Sequence, residues 1–246
     1  MGLKAAPEDQ ALLLELQEFD TRLQQLDHRL RTIPETARLA ELATSSDTLR
    51  RSVAEQLGAL EDARAELGRV ESDVAVVEAR IERDRGRLES SSSMKDVQAL
   101  EQELAALARR RDELEEIELV VMEKVEELEV ALSSIRLQLD AHEAEVAATT
   151  EARDAAASAI EQDRARTAAD RATVAARVPA ELLALYEKQR ARYGAGASHL
   201  RGGVSSASGV ALNATDLGAV RAAAPDDVLL CPDSSAILVR TAESGL

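Results

Sequence analysis

Residues 81–107 read IERDRGRLESSSSMKDVQALEQELAAL, and four consecutive serines, Ser90–Ser93, lie in the middle of this stretch. Serine side chains compete with the helical backbone for hydrogen bonds, so a run of them favours a turn. On both sides of the serines, apolar residues recur in steps of three and four. That spacing is typical of the seam along which α-helices coil around one another. The stretch therefore predicts two helices joined by a short turn.

The apolar seams extend far from the turn in both directions. Upstream, the seam positions are Leu42, Ser46, Leu49, Val53, Gln56, Leu60, Ala63, Leu67, Val70, Val74, Val77, Ile81, Asp84 and Leu88. Downstream, they are Val97, Leu100, Leu104, Leu107, Arg111, Leu114, Glu118, Val121, Val125, Leu128, Leu132, Ile135, Leu139, His142 and Val146. Because no cysteine or second histidine lies at chelating spacing, we expect His142 to pack within the seam rather than to bind a metal.

The two arms on either side of the turn match in length. Reflecting the sequence about Ser93 pairs Leu12 with Val174. A short turn between matched arms favours an antiparallel hairpin within one chain over a parallel dimer. The predicted fold class is mainly α, with an antiparallel coiled-coil hairpin over residues 8–178 whose tip lies near residues 90–95.

Prolines mark two interruptions of the helical pattern. Pro34 follows an earlier part of the seam, and the residue before a proline disfavours α geometry, so we expect a kink or a short break near residue 34. A second proline begins a connecting helix, predicted over residues 179–194. Leu182, Leu185 and Tyr186 share one face of this helix. We expect that face to close the open end of the hairpin.

The sequence changes character after the connecting helix. A glycine- and serine-rich stretch at residues 201–209 leads to a helix signal, in which Asn213 is suited to cap the first turn. Two apolar runs with β-like composition follow, Val228–Cys231 and Ala236–Val239. These features predict a small α+β module over residues 195–246.

The charge balance and the terminal sequence narrow the class of protein. With 46 acidic and 30 basic residues, the net charge is −16. This charge disfavours nucleic acid and anionic membranes as partners, because phosphate contacts need a dense cationic patch. The single cysteine fits a reducing compartment. Since no apolar leader follows Met1 and no run of about 18 apolar residues occurs, we expect a cytoplasmic protein without a membrane span.

No arrangement of residues in the sequence points to catalysis. The chain has three histidines and one cysteine, and it lacks the glycine-rich phosphate loops, the HExxH pattern and the GxSxG pattern. Its many carboxylates belong to predicted helix surfaces rather than to a concave pocket. We therefore expect a protein that is not an enzyme and that carries no cofactor.

Four short motifs follow one another along the chain, namely Ser93–Asp96 at the turn, Leu182–Glu187 in the connecting helix, and Val228–Pro232 and Ala236–Arg240 in the module. In this order, and over nearly its whole length, the chain resembles the bacterial C4-type zinc-ribbon proteins with a coiled-coil hairpin. The resemblance implies a hairpin followed by a zinc ribbon. It also implies a role around transcription or RNA.

The resemblance places two metal-binding knuckles of the form Cys-x-x-Cys on this chain. The first falls on Ser205 and Ser208, and the second on Cys231 and Ser234, so three of the four implied ligands are serine. A structural zinc site needs four good donors, usually thiolate or imidazole, and His199 is the only imidazole nearby. We therefore expect a degenerate ribbon without zinc, which stays folded by docking on the connecting helix.

The turn of the hairpin is the predicted partner-binding site. The candidate residues are Ser92, Ser93, Met94, Lys95 and Asp96. A turn needs polar residues for its own geometry. Loops held on rigid scaffolds nevertheless commonly carry contacts, which favours this segment for protein binding.

The function predicted from these observations is that of a non-enzymatic adaptor or scaffold for protein partners of unknown identity. The alternative is nucleic-acid binding through the C-terminal module, which the net charge disfavours. The acidic run from Glu113 to Glu129 is typical of a solvated coiled-coil flank, or of a surface for a basic partner. Because the flanks of a hairpin can pair again, we expect a monomer or a weak homodimer.

Overall fold

The computed structural model describes residues 2–246. Long helices dominate this part of the chain and a small sheet follows them. The helices are α1 (Pro7–Arg31), α2 (Pro34–Ser90), α3 (Met94–Ala175), α4 (Ala180–Tyr193) and α5 (Ala214–Ala222). The strands are β1 (Ala197–Arg201), β2 (Val204–Ser205), β3 (Leu229–Leu230) and β4 (Ile237–Val239), and a 3-10 helix spans Ala242–Ser244.

The predicted helical hairpin is confirmed. Helix α2 ends at Ser90 and α3 begins at Met94, so the last three serines of the run form the turn. The arms are antiparallel, since Arg38 pairs with Glu145 at 2.7 Å. The seam positions on both helices are buried or half-buried, and even the polar seam residues Ser46 and Asp84 are buried.

The interruption near residue 34 is a complete break of the helix. Helix α1 ends at Arg31 and α2 begins at Pro34. The backbone N–H of Thr32 still donates to the carbonyls of His28 and Arg29, which closes the last turn of α1. The proline then starts a new helix because its missing N–H is not needed in a first turn.

Contacts divide the chain into two compact units. One unit combines the segment up to Thr36 with the segment from Ala152 to Leu246, and we call it the terminal unit. The other comprises Ala37–Glu151 and contains the turn of the hairpin. Both ends of the sequence therefore contribute to the terminal unit.

The sheet of the terminal unit has the strand order β2-β1-β4-β3. The two predicted apolar runs contain β3 and β4, which pair antiparallel. Strands β1 and β2 are absent from the sequence prediction, which left their residues as a connection. Strand β1 pairs in parallel with β4, so His199 lies opposite Val239. A strand of this kind depends on a distant partner rather than on the local pattern.

The core of the terminal unit joins the helices to the sheet. Its buried apolar residues are Leu13, Leu16, Val174, Val178, Leu182, Tyr186, Ala197, Ile237 and Val239. Leu185 packs against this cluster and is partly buried. The side chains of α4 therefore lie between the hairpin helices and the sheet. A second cluster inside the module consists of Leu200, Leu212, Val220, Cys231 and Leu238.

None of the helices within residues 2–246 combines the length and the apolar character that crossing a membrane requires.

Candidate functional site

The C-terminal module brings two of the four knuckle positions into direct contact. The Cys231 thiol donates a hydrogen bond to Ser205 Oγ at 3.3 Å. The hydroxyls of Ser205 and Ser198 lie 2.7 Å apart. All three residues are buried. The part of the module that contains β1 and β2 thus contacts the part that contains β3 and β4. We call the three hydrogen-bonded side chains the serine–cysteine cluster.

The other two knuckle positions make local turn contacts. Ser208 Oγ accepts from the backbone N–H of Val210 at 3.2 Å, and Ser234 Oγ accepts from that of Ala236 at 3.4 Å. Burial alone would raise the pKa of the Cys231 thiol. Hydrogen bonds with Ser205 and Ser234 outweigh burial and hold that pKa below its ordinary value. Two of the four positions, Ser205 and Ser234, therefore act on the sulfur atom of a third, Cys231.

The donors at these positions do not fit a structural zinc ion. One thiol and three hydroxyls replace the four thiolate or imidazole donors that zinc takes in such sites. His199 does not join them, because its Nε2 lies 2.8 Å from Thr241 Oγ1. Among residues 2–246, no group of three or more His, Cys, Asp and Glu side chains is placed to hold a metal. Two of the positions where the resemblance implies zinc ligands, Ser205 and Cys231, are instead hydrogen-bonded to each other.

The turn between α2 and α3 displays the predicted partner-binding residues on the surface. Ser92, Ser93, Met94, Lys95 and Asp96 are all exposed. Met94 has 79% of its surface accessible, the largest value among the exposed large apolar residues of the described chain. The carbonyl of Ser93 accepts from the N–H groups of Asp96 and Val97 at 3.1 and 3.0 Å. The first turn of α3 thus holds Met94 and Lys95 in a defined backbone conformation.

A buried carboxylate, which the sequence analysis did not single out, links the helices of the terminal unit. Asp20 is 2% exposed. It accepts from Arg171 Nε at 2.7 Å, from the Tyr186 hydroxyl at 2.7 Å and from Arg190 Nη1 at 3.2 Å. Glu187 completes the group by pairing with Arg171 at 2.6 Å and with Arg190 at 2.8 Å. We call this group the Asp20 network.

The charges of the Asp20 network compensate one another. Burial and the hydrogen bond to Asp20 raise the pKa of Tyr186, which keeps its hydroxyl protonated. The hydrogen bond with Asp20 is the main cause that raises the pKa of Arg171. A buried carboxylate that accepts from three donor side chains joins the helices that carry them, so the arrangement is a structural link. No local pattern could reveal the network, because its partners lie 151 to 170 residues from Asp20.

Two arginines of the C-terminal module have protein partners. Arg240 donates from Nη2 to the carbonyls of Ala224, Pro225 and Asp227 at 2.7 to 3.1 Å. Arg201 pairs with Glu243 at 2.8 Å. Phosphate contacts require accessible cations. The Arg240 guanidinium serves instead to fix the loop after α5.

Two polar residues of the predicted seam, His142 and Asp84, are half-buried and buried, respectively. His142 is half-buried, and its Nε2 lies 2.9 Å from the carbonyl oxygen of Leu42 on the opposite arm. Asp84 is buried, and its Oδ2 has no hydrogen-bond partner within residues 2–246. Neither residue belongs to a metal-binding group in this part of the chain.

Known proteins similar to this chain share its hairpin. A family model described as the CT398-like coiled coil hairpin domain matches residues 16–194. An uncharacterized protein of Mycobacterium tuberculosis is 34% identical over 239 residues, which cover 97% of this chain and 98% of that protein. A solved structure from Mycobacterium smegmatis is 36% identical, has a TM-score of 0.84, and the match covers 97% of this chain and 100% of that one. The structure of CT398 from Chlamydia trachomatis is 21% identical and has a TM-score of 0.61, with 94% of this chain and 97% of that one covered, so it shares the fold.

Proposed function

The chain belongs to the family of the CT398-like coiled coil hairpin domain, and on this premise we propose that it is a non-enzymatic, cytoplasmic adaptor that binds protein partners through the turn between α2 and α3. Met94 and Lys95 are the central contact residues, and Ser92, Ser93 and Asp96 surround them. Binding of this kind requires only exposed side chains and no catalytic group.

The observation that carries this proposal is the exposure of Met94 at the first position of α3, directly after the turn. An apolar side chain with 79% of its surface accessible, next to a cation and an anion, offers both burial and polar contacts to a partner. Methionine adapts to different partner surfaces because its side chain is flexible and polarisable. A turn held by two regular helices loses little conformational entropy on binding.

Crosslinking in living cells tests the role of the turn. A photoreactive amino acid replaces Met94, and the same amino acid replaces Val76, an apolar residue of α2 that is 64% exposed, as the matched control. We expect a discrete crosslinked product from position 94 and none from position 76. The additional change Lys95→Glu should reduce the product at least tenfold. Equal products from both positions, or no product from position 94, would contradict the proposal.

We propose further that the C-terminal module is a degenerate zinc ribbon that folds without metal. The distance of 3.3 Å between Cys231 Sγ and Ser205 Oγ supports this view. Two thiolates on one tetrahedral zinc, each about 2.3 Å from the metal, lie roughly 3.8 Å apart. This one pair of knuckle positions thus lies near the spacing of two ligands on one zinc ion, and a hydrogen bond joins the two side chains directly.

Restoring the cysteines tests this second proposal. The triple variant Ser205→Cys, Ser208→Cys and Ser234→Cys should bind about one zinc per chain in metal analysis, because four thiolates are a complete structural donor set. The native chain should bind none and should remain folded in the presence of a chelator. One zinc per native chain would contradict the proposal, and so would a triple variant that folds but takes up no zinc.

A further inference from the structure

Helix α3 carries a second set of apolar side chains that the hairpin does not cover. Leu119, Val130 and Leu137 are 62%, 71% and 67% exposed. On a helix of 3.6 residues per turn they lie within about 20° of one another, on the side opposite the seam. The seam residues Val121 and Leu132 at the same level are 6% and 5% exposed. The apolar stripe is therefore exposed outside the core of the hairpin, and only Leu137 also borders a groove lined by the seam residues Leu60 and Leu132.

Acidic residues flank this stripe. They are Glu116, Glu123, Glu126 and Glu127, all of them exposed. Glu123, Glu126 and Glu127 line a shallow depression of about 530 Å³ together with Val130 and Ala131. The ion pairs of this part of α3 use other residues, since Arg110 pairs with Glu113, Arg111 with Glu115 and Arg64 with Glu129. We call the stripe and its four glutamates the outer face of α3.

We propose that the outer face of α3 binds a basic amphipathic helix of a partner protein. Apolar residues on one face of such a helix would cover Leu119, Val130 and Leu137, which recur along α3 at helical spacing. Lysine or arginine residues beside them would meet the four glutamates, and this complementarity favours association with cations. The inference extends the proposed adaptor function to a second surface, which shares no residue with the turn.

The charge of the outer face disfavours a second copy of this chain as its occupant. Pairing two outer faces would bring the four glutamates of one copy close to those of the other. Like charges brought together at an interface destabilise it, and the partial burial of the interface strengthens the repulsion. An occupant of opposite charge gains from the same glutamates.

Titration with a designed peptide tests this proposal on the full-length chain. The probe is a fluorescent amphipathic helix of lysine and leucine, about 20 residues long, which spans Leu119 to Leu137 at 1.5 Å per residue. The control peptide has the same composition, but its leucines are spread around the helix. We expect the amphipathic peptide to bind at least tenfold more tightly than the control. Added salt should weaken the binding because it screens the glutamates.

Two variants test whether peptide binding depends on the apolar residues of the outer face. The triple change Leu119→Ser, Val130→Ser and Leu137→Ser leaves the charge intact and should weaken peptide binding at least tenfold. The change Val76→Ser on α2 should leave the binding unchanged. Circular dichroism of both variants should match that of the native chain, since all four positions are exposed.

Several outcomes would overturn the proposal. One is equal binding of both peptides, and another is equal binding by the native chain and the triple variant. A native dimer in analytical ultracentrifugation that the triple variant abolishes, combined with no peptide binding, would assign the face to a second copy. The variant Met94→Ser should bind the peptide like the native chain. A failed crosslink at the turn and a failed titration at the outer face are therefore separate results.

Discussion

At the scale of single residues, two buried aspartates have opposite surroundings. Asp20 is 2% exposed and accepts hydrogen bonds from three side chains. Asp84 is 4% exposed; its Oδ1 accepts one long hydrogen bond from Arg87 at 3.4 Å, and its Oδ2 has no hydrogen-bond partner among the described residues. A buried charge is costly unless it is paired and hydrogen-bonded. The two residues should therefore contribute to stability with opposite sign.

The variant Asp20→Asn should lower the free energy of unfolding by about 3 to 5 kcal/mol, the usual cost of removing one partner from a buried ion pair. The reason is that Arg171 and Arg190 would keep their charge, while asparagine has no negative charge to balance them and only one acceptor oxygen in place of two. Urea unfolding followed by circular dichroism measures the change. A loss below about 1 kcal/mol would show that the network contributes little.

The variant Asp84→Leu should instead raise the free energy of unfolding, by about 1 to 2 kcal/mol, because it removes an incompletely satisfied charge from an apolar seam. Arg80 and Arg87, whose side chains are 55% and 73% exposed, remain solvated. The same urea titration measures the effect. The distances are long, 3.9 Å from Arg80 Nε to Asp84 Oδ2 and 3.4 Å from Arg87 Nη1 to Asp84 Oδ1. A lower free energy of unfolding in the variant would mean that the two arginines stabilise Asp84 more than these distances suggest.

Acid should weaken the terminal unit through Glu187. Burial alone would raise the pKa of this carboxyl, but hydrogen bonds from Arg171 and Arg190 hold it below the ordinary value of 4.5. In the unfolded chain Glu187 takes up a proton at higher pH than in the folded chain. The stabilisation is therefore present above about pH 4.5 and is lost as the pH falls through the folded value.

The melting temperature measured from pH 7 to pH 3 tests this dependence. The variant Glu187→Gln should show a flatter decline below pH 4.5 than the native chain, because it cannot take up the proton. Identical declines in the two proteins would assign the acid sensitivity to other carboxylates.

At the scale of secondary structure elements, one glycine sets how closely β1 approaches α4. A Cβ atom at Gly196 would lie 2.5 Å from Cε2 of the Tyr186 ring. The backbone N–H of Gly196 donates to Gln17 on α1 at 2.8 Å, so the strand cannot easily move away. The absence of a side chain thus lets the connection pass between α1 and α4.

The variant Gly196→Ala should therefore lower the free energy of unfolding by about 1 to 3 kcal/mol, as overpacking does in a well-packed core. Gly68 is the matched control, because it is exposed in the interior of α2 with open space around its Cα. Gly68→Ala should raise stability by about 0.5 to 1 kcal/mol through helix propensity. Thermal unfolding of both variants measures the two effects, and equal shifts would refute the close-approach argument.

At the scale of the whole molecule, the two ends of the chain are joined in the terminal unit. The backbone of the N-terminal segment pairs with the module, where the Ala5 N–H donates to the Asp226 carbonyl at 2.9 Å and the Val228 N–H to the Leu3 carbonyl at 3.1 Å. Lys4 adds an exposed ion pair with Asp226 at 3.0 Å. Such exposed pairs contribute little, so the shared apolar core accounts for most of the attachment.

Limited proteolysis should accordingly degrade residues 197–246 and helix α1 at the same rate. Each depends on the other to bury Leu13, Leu16 and Tyr186, and each such side chain contributes roughly 1.5 to 3 kcal/mol when fully buried. Mass spectrometry of the fragments measures the two rates. Loss of the segment after residue 200 far faster than α1 would contradict the docking of the module on the hairpin.

Sequence alone predicted the hairpin, its turn and the separate short helix α4. Each of these rests on a local pattern, because a seam with steps of three and four, a run of serines or a proline acts within a few residues of itself. The same locality explains why the capping residue Asn213 was recognised, since its side chain accepts from the N–H of Asp216 at 2.9 Å. The sequence also identified the knuckle and turn residues as candidate sites. The functions of these residues stay predictions.

Only the tertiary structure decided which distant groups meet. The pairing of β1 with β4, the Asp20 network and the contact of Gly196 with Tyr186 all join residues from different elements. Such contacts form because folding buries a shared apolar core, and a local sequence pattern carries no information about the partner. The apolar stripe of α3 is a further example. The sequence shows apolar residues on two sides of this helix, and only their exposure in the structure tells the stripe from the buried seam.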